Sequence, residues 1–182
     1  MNSPNGAPPM KTDFLVDLDD RSGVSMRLLR AASWAVRIAI GIGFLSAVAD
    51  RFGLWGPSGA PGVTWGNLAK YNAYVAQLNW FVPAVFIPFV GWVATIAELV
   101  LGLALLAGWH LRRSALFSAL LLLSFGLSMT LALGPHAPLS YSVFAAASAA
   151  FLLFAIQPTG GASLAPIGEQ TGVSLKCPPA NA

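Results

Sequence analysis

Long apolar runs separated by short polar stretches dominate the chain. Four of these runs are long enough to cross a bilayer, at residues 31–50, 81–109, 114–134 and 139–157. A helix needs about 20 residues to span the hydrocarbon layer, and hydrophobicity that is continuous rather than alternating favours helices over a β-barrel. We therefore predict an all-α fold, an integral membrane four-helix bundle within residues 27–157.

The segments outside the predicted helices are polar or rich in turn-forming residues. Residues 1–26 carry Pro, Asn and Asp, and residues 158–182 carry Pro, Gly and Ser. Neither end can bury enough apolar surface to order itself, so we predict a disordered leader and a disordered C-terminal tail.

The connection between the first two predicted helices, residues 51–80, is long and aromatic, with three Trp and two Tyr. Such rings settle at the headgroup level of a membrane, and residues 65–80 are suited to a short interfacial helix. The loop is either a connector lying along the membrane, a lid over a site or a docking surface.

Composition supports membrane insertion, and the basic residues predict orientation. The chain is 56% hydrophobic and 9% charged, against about 25% charged residues in soluble domains. The net charge of +3, without a basic cluster, argues against nucleic acid as a partner. The positive-inside rule predicts that both termini face the cytoplasm. The proposed cytoplasmic set is Lys11, Arg21, Arg27, Arg30, Arg112, Arg113 and Lys176, against Arg51 and Lys70 outside.

Two charges inside the apolar runs, Arg37 and Glu98, are the main candidates for a functional site. Charged residues at membrane depth usually mark a pathway, a relay or a pair. Arg37 shares a helix face with Gly41 and Arg51, and Glu98 shares one with Gly102. Glycines allow close approach of helices, so the simplest prediction pairs Arg37 with Glu98. Two alternatives stay open: Arg37 snorkels to the cytoplasmic surface, or Glu98 is protonated and acts as a proton carrier.

Polar groups elsewhere in the predicted helices are few. Ser124 and Ser148 could hydrogen-bond to the charged layer or to their own helix backbone. The single cysteine cannot form a disulfide within the chain, and His110 and His136 fall at opposite membrane faces. We therefore predict no metal site and no intrinsic cofactor. A quinone is a redox cofactor that needs no covalent or metal anchor.

Two short motifs resemble the signatures of the DoxX-like family of small four-helix inner-membrane proteins. The first, "RIAIGIGFLSAVADRFG", contains Arg37, Gly41, Phe44 and Arg51 in the family's order. The second, "ATIAELVLGLALLAGWHLRRSAL", contains Glu98, Gly102, Gly108, Arg112 or Arg113, and Ala115. The sequence departs from the family's pattern at Val48, where many members have Gly, in having Arg51 rather than Lys, and in its longer outer loop. The resemblance covers about residues 28–157. It implies a multi-pass protein of the inner (plasma) membrane that is a component of a membrane oxidoreductase assembly.

Three functional hypotheses follow. The first, implied by the resemblance, is a small subunit or accessory component of a quinone-linked membrane oxidoreductase, with redox subunits as partners. The second is a small proton-coupled transporter that uses Glu98. The third is a membrane assembly or chaperone-like factor whose aromatic loop grips a partner. The lipid bilayer is a partner in each case, and a homo-oligomer is compatible with all three.

Overall fold

The structure is a computed structural model that describes the backbone of residues 12–157 and the side chains of residues 25–157. The described chain is helical without strands. Its six helices are α1 (Thr12–Arg51), α2 (Leu68–Leu78), α3 (Ile87–Ala107), α4 (Leu111–Leu133), α5 (His136–Ser140) and α6 (Val143–Ile156). The predicted tail and the first eleven residues of the predicted leader lie outside the described residues.

Three helices are long and apolar enough to cross a membrane. They are the part of α1 from Ser25 to Arg51, the segment Ala84–Ala107 that includes α3, and α4. Their outward faces carry many exposed large apolar side chains, including Ile42, Leu103 and Leu131. Exposed apolar surface of this extent indicates a lipid or protein environment rather than water.

The helix boundaries differ from the predicted ones at both ends of the apolar region. α1 begins at Thr12, so residues 12–26, predicted to be part of a disordered leader, continue the first apolar helix instead. The predicted helix 139–157 is divided into α5 and α6 by Tyr141 and Ser142. Ser142 adopts a left-handed backbone conformation with φ of 54°, which an α-helix cannot continue through. α6 alone has 14 residues, a rise of about 21 Å.

The connection from α1 to α3 consists of turns followed by α2, which lies within the stretch 65–80 for which a short helix was predicted. Asn67 begins α2 because its side chain accepts a hydrogen bond from the amide of Lys70 at 2.9 Å. The inner face of α2, with Tyr71 and Val75, packs against Ile87 at the start of α3. The aromatic segment is therefore tied to the N-terminal end of α3.

One apolar core joins the long helices. α1 packs mainly against α3, and α4 packs mainly against α6. The buried core takes residues from all four of these helices: Ile40, Phe44, Leu105, Ala115, Ala119, Ala150 and Leu153. Small residues on α4 and α6 let these helices lie close together, as is common between membrane helices.

Candidate functional site

A buried ion pair joins the C-terminal end of α1 to the middle of α3. The Nη2 of Arg51 donates to Oε1 of Glu98 at 2.7 Å, and both side chains are 2% exposed. The Nη1 of Arg51 donates to the hydroxyl of Thr95 at 2.9 Å. That hydroxyl in turn donates to the carbonyl of Gly91 at 2.7 Å. The guanidinium is therefore held by a charged and a neutral acceptor one turn apart on α3.

Two aromatic rings cover the guanidinium of Arg51. Its Cζ lies 3.8 Å from the ring centroid of Tyr71 and 5.4 Å from that of Trp65. The two rings contact each other edge to face, with centroids 5.2 Å apart. A cation against aromatic faces is attracted by their quadrupoles, and the attraction grows when water is excluded. The segment between α1 and α3 thus closes the charged cluster on one side.

Burial also perturbs Tyr71, which lies on α2 outside the long apolar helices. Removal from water raises the pKa of Tyr71 to about 12, and the nearby positive charge of Arg51 opposes this rise without cancelling it. The phenol is therefore neutral at physiological pH. It can act as a hydrogen-bond donor and as an aromatic surface, and it does not supply negative charge to the cluster.

Asp50, the neighbour of Arg51, fixes the turn that carries Trp65. Its Oδ2 accepts hydrogen bonds from the backbone amides of Thr64 at 3.1 Å and Trp65 at 2.9 Å. Asp50 is 5% exposed, so these are charge-assisted bonds in a dry setting. The two consecutive residues at the end of α1 therefore have different contacts: Asp50 holds the loop, and Arg51 binds α3.

Three polar atoms of this cluster are buried without a hydrogen-bond partner among the described residues. They are Oδ1 of Asp50, Nε of Arg51 and Oε2 of Glu98. Buried polar groups are nearly always paired, because an unpaired one keeps the full cost of losing water. The cluster thus keeps spare hydrogen-bonding capacity, with two acceptors and one donor.

In comparisons with known proteins, no family model, curated protein or solved structure significantly matches the chain.

The predicted pair between Arg37 and Glu98 is wrong. Arg37 donates to the carbonyl of Leu105 at 2.9 Å and to that of Leu106 at 3.2 Å. Its guanidinium also lies against the ring of Trp34, with Cζ 4.0 Å from the centroid. The last carbonyls of a helix lack partners within the helix and attract cations. Arg37 is therefore a C-terminal cap for α3.

The register between α1 and α3 explains why Arg37 misses Glu98. Gly41 and Gly102 face each other: a Cβ on Gly102 would lie 3.1 Å from the carbonyl oxygen of Gly41. The helices run antiparallel, so Arg37, four residues before Gly41, is level with Leu106, four residues beyond Gly102. Glu98 is about eight residues from that level, a rise of about 12 Å along α3.

The predicted serines do not join the cluster. Ser124 is exposed on α4 and donates to the carbonyl of Leu121 on its own helix at 2.7 Å. Ser148 is exposed on α6. The hydroxyl that reaches the charged layer belongs instead to Thr95. Its spacing of three residues from Glu98 was the available signal, because residues three apart share a helix face.

Asp50, Trp65 and Tyr71 are further members of the site that sequence reasoning missed. In the sequence, Asp50 only marks the end of the first apolar run, and nothing in the pattern shows that its carboxylate anchors the following loop. For the loop that contains Trp65 and Tyr71, the sequence leaves a connector, a lid over a site and a docking surface open, because aromatic character alone does not distinguish a headgroup anchor from a cover over a buried charge.

Proposed function

We propose that the chain is a four-helix protein of the inner membrane with both termini in the cytoplasm, and that it is a small accessory subunit of a quinone-linked membrane oxidoreductase. The observation that carries the proposal is the buried pair of Arg51 and Glu98. These two residues come from the two separate motifs that resemble DoxX-like signatures, and they meet in space. Their meeting supports the idea that the motifs describe one site.

The fourth crossing in this proposal is made by α5 and α6 together. α6 is apolar along its length and packs closely on α4. The turn at Tyr141 and Ser142 then lies near the outer surface, with α5 in the interfacial layer. The distribution of Lys and Arg supports cytoplasmic termini. In this orientation the Arg51 cluster lies toward the outer side of the membrane.

The chemistry of the cluster supports a binding role rather than a purely structural one. Isolated buried ion pairs contribute little net stability, since desolvation offsets their attraction. Charged residues within membrane helices are usually retained for function. A quinone carbonyl accepts hydrogen bonds and a quinol hydroxyl donates them, which matches one unpartnered donor and two unpartnered acceptors. Trp65, which is only partly buried beside this cluster, offers an aromatic surface to a ring.

The proposal is tested by purifying the tagged full chain from its native membranes in a mild detergent. We expect a redox subunit with a flavin, haem or iron–sulfur absorption spectrum to co-purify in fixed stoichiometry, together with quinone extractable into organic solvent. The matched variant is Arg51→Met with Glu98→Leu, which removes both charges. It should retain its partner and lose the quinone. A chain that repeatedly purifies without a redox partner or quinone would contradict the proposal.

A second candidate function, a proton-coupled transporter, is favoured by the unpartnered Oε2 of Glu98. A carboxylate with one free oxygen can accept a proton when its pair with Arg51 opens. Proteoliposomes with an imposed pH gradient test this function by comparing the wild type with Glu98→Gln. A proton flux across the proteoliposome membrane that is unchanged by the substitution would remove Glu98 as the proton carrier.

A further inference from the structure

A continuous groove runs between α3 and α4, on the outside of the helix pair. Two adjoining cavities of about 350 and 670 Å³ share Val100, Leu101 and Phe117 as walls. α3 packs mainly on α1 and α4 packs mainly on α6, so α3 and α4 make fewer contacts with each other along the groove. Its far end is marked by Val93 and Ser124.

The walls of the groove are apolar, and its near end, beside the turn between α3 and α4, is basic. Along most of its length the groove is lined by aliphatic and aromatic side chains. At the near end it is lined by His110 and Arg113, both exposed. Ser114 also lies there, but its hydroxyl is committed to the carbonyl of Trp109 at 2.9 Å. An elongated apolar groove with a cation at one end is complementary in shape and charge to an anionic amphiphile.

The N-terminus of α4 adds to the positive charge at this end. α4 begins at Leu111 and has 23 residues, and no side chain caps its first amides. Free amides and the helix dipole make such a terminus favourable for an anion. Among the side chains described, at residues 25–157, the only carboxylates are Asp50 and Glu98, both in the cluster around Arg51. No carboxylate from this part of the chain neutralises Arg113.

We propose that this groove binds a membrane phospholipid with an anionic headgroup. The phosphate lies at the N-terminus of α4 beside Arg113, and one acyl chain lies along α3 and α4. The stretch from Arg113 to Ser124 rises about 16 Å, close to the roughly 15 Å of one hydrocarbon leaflet. Basic pockets between membrane helices on the cytoplasmic side are suited to acidic lipids. The inference rests on the membrane orientation in the proposed function, and it does not depend on a redox role.

The test is native mass spectrometry of the full chain, titrated in detergent with phosphatidylglycerol or with phosphatidylcholine of the same acyl chains. We expect phosphatidylglycerol to bind more tightly, and Arg113→Gln to weaken it on the order of fivefold, the effect of one basic residue near a membrane surface. The matched control is Arg30→Gln, which removes an equal charge from an exposed site on α1 and should change little. Equal affinity for the two lipids, or equal loss in both variants, would overturn the proposal.

A second pair of variants tests the apolar part of the groove. Ala97→Leu adds a side chain inside it and should weaken both lipids, whereas Ala107→Leu, on the same helix outside the groove, should not. A neutral quinone that displaces phosphatidylglycerol, or a dimer that forms only when lipid leaves, would identify a different occupant and overturn the proposal. Failure to find a redox partner would leave these lipid results unaffected, so the two proposals fail separately.

Discussion

The guanidinium of Arg51 lies 2.7 Å from the carboxylate of Glu98, although 47 residues separate them in the sequence. α1 and α3 run antiparallel, and helical side chains lean toward the N-terminus of their own helix. Arg51 therefore leans back along α1 while Glu98 leans toward the start of α3. The two side chains converge near the level of Thr95, which supplies the third member of the contact.

Removing one partner of this pair should cost much more than removing both. Glu98→Leu leaves the buried guanidinium without its counter-ion, and we expect a loss of about 3–5 kcal/mol in the free energy of unfolding. The double variant Arg51→Met, Glu98→Leu replaces both charges by apolar groups and should recover much of that loss. Unfolding by sodium dodecyl sulfate in mixed micelles, followed by circular dichroism, measures the free energy of unfolding of the wild type, the single variant and the double variant.

The control for this cycle is Arg37, the other buried cation among the described side chains of α1. Arg37→Met should add to Glu98→Leu within about 0.5 kcal/mol, because residues without shared partners do not couple. A coupling between positions 37 and 98, with none between 51 and 98, would show that the structure has the wrong partner for Glu98.

The sequence predicted the apolar helices and the buried carboxylate, because length and composition determine both. It could not choose between Arg37 and Arg51, which share one face of α1 and are equally compatible with spacing. The choice depends on the axial position of α1 relative to α3, and the contact between Gly41 and Gly102 determines that position. Axial register is a tertiary property that hydrophobic periodicity does not contain.

The last predicted helix shows a different limit of prediction from the sequence. Residues 139–157 read as one uninterrupted apolar helix, yet a turn divides them at Ser142, which has a left-handed backbone. Ser142 is the N-cap residue of α6, a position where serine is common, but a serine within an apolar run does not by itself predict a break. α6 packs closely on α4, and this tertiary contact is not contained in the apolar pattern of residues 139–157.

Gly41 and Gly43, two residues apart on α1 and therefore on opposite faces of the helix, should respond very differently to the same substitution. A Cβ at Gly41 would lie 2.8 Å from Cγ of Leu106 and 3.1 Å from the carbonyl oxygen of Gly102, whereas at Gly43 nothing lies within 4 Å. Gly41→Ala should therefore push α1 away from α3 and cost about 1–3 kcal/mol. Gly43→Ala should be neutral or slightly stabilising, since alanine favours the helix. Thermal unfolding in detergent compares them, and equal effects would contradict the close approach.

Alkaline pH should destabilise the contact between α2 and the long helices. The pKa of Tyr71 is raised to about 12, against about 10 in the unfolded chain. The folded form therefore holds its proton more tightly, so the stabilisation is complete below pH 10 and is lost as the pH rises from about 10 to 12. Tyrosinate absorbance near 295 nm follows the ionisation. In Tyr71→Phe the phase near pH 12 should disappear, and its persistence would assign that phase to another tyrosine.

Asp50→Ala should release the turn that carries Trp65 without unfolding the helices. The substitution removes the acceptor for the amides of Thr64 and Trp65, and hydrogen bonds to charged groups contribute about 1.5–3 kcal/mol. Hydrogen exchange followed by mass spectrometry should show faster exchange in residues 57–67 and unchanged exchange in α4. Asp50→Asn keeps an acceptor oxygen and should give an intermediate effect. Protection of residues 64 and 65 that survives Asp50→Ala would mean that Asp50 does not hold this turn over Arg51.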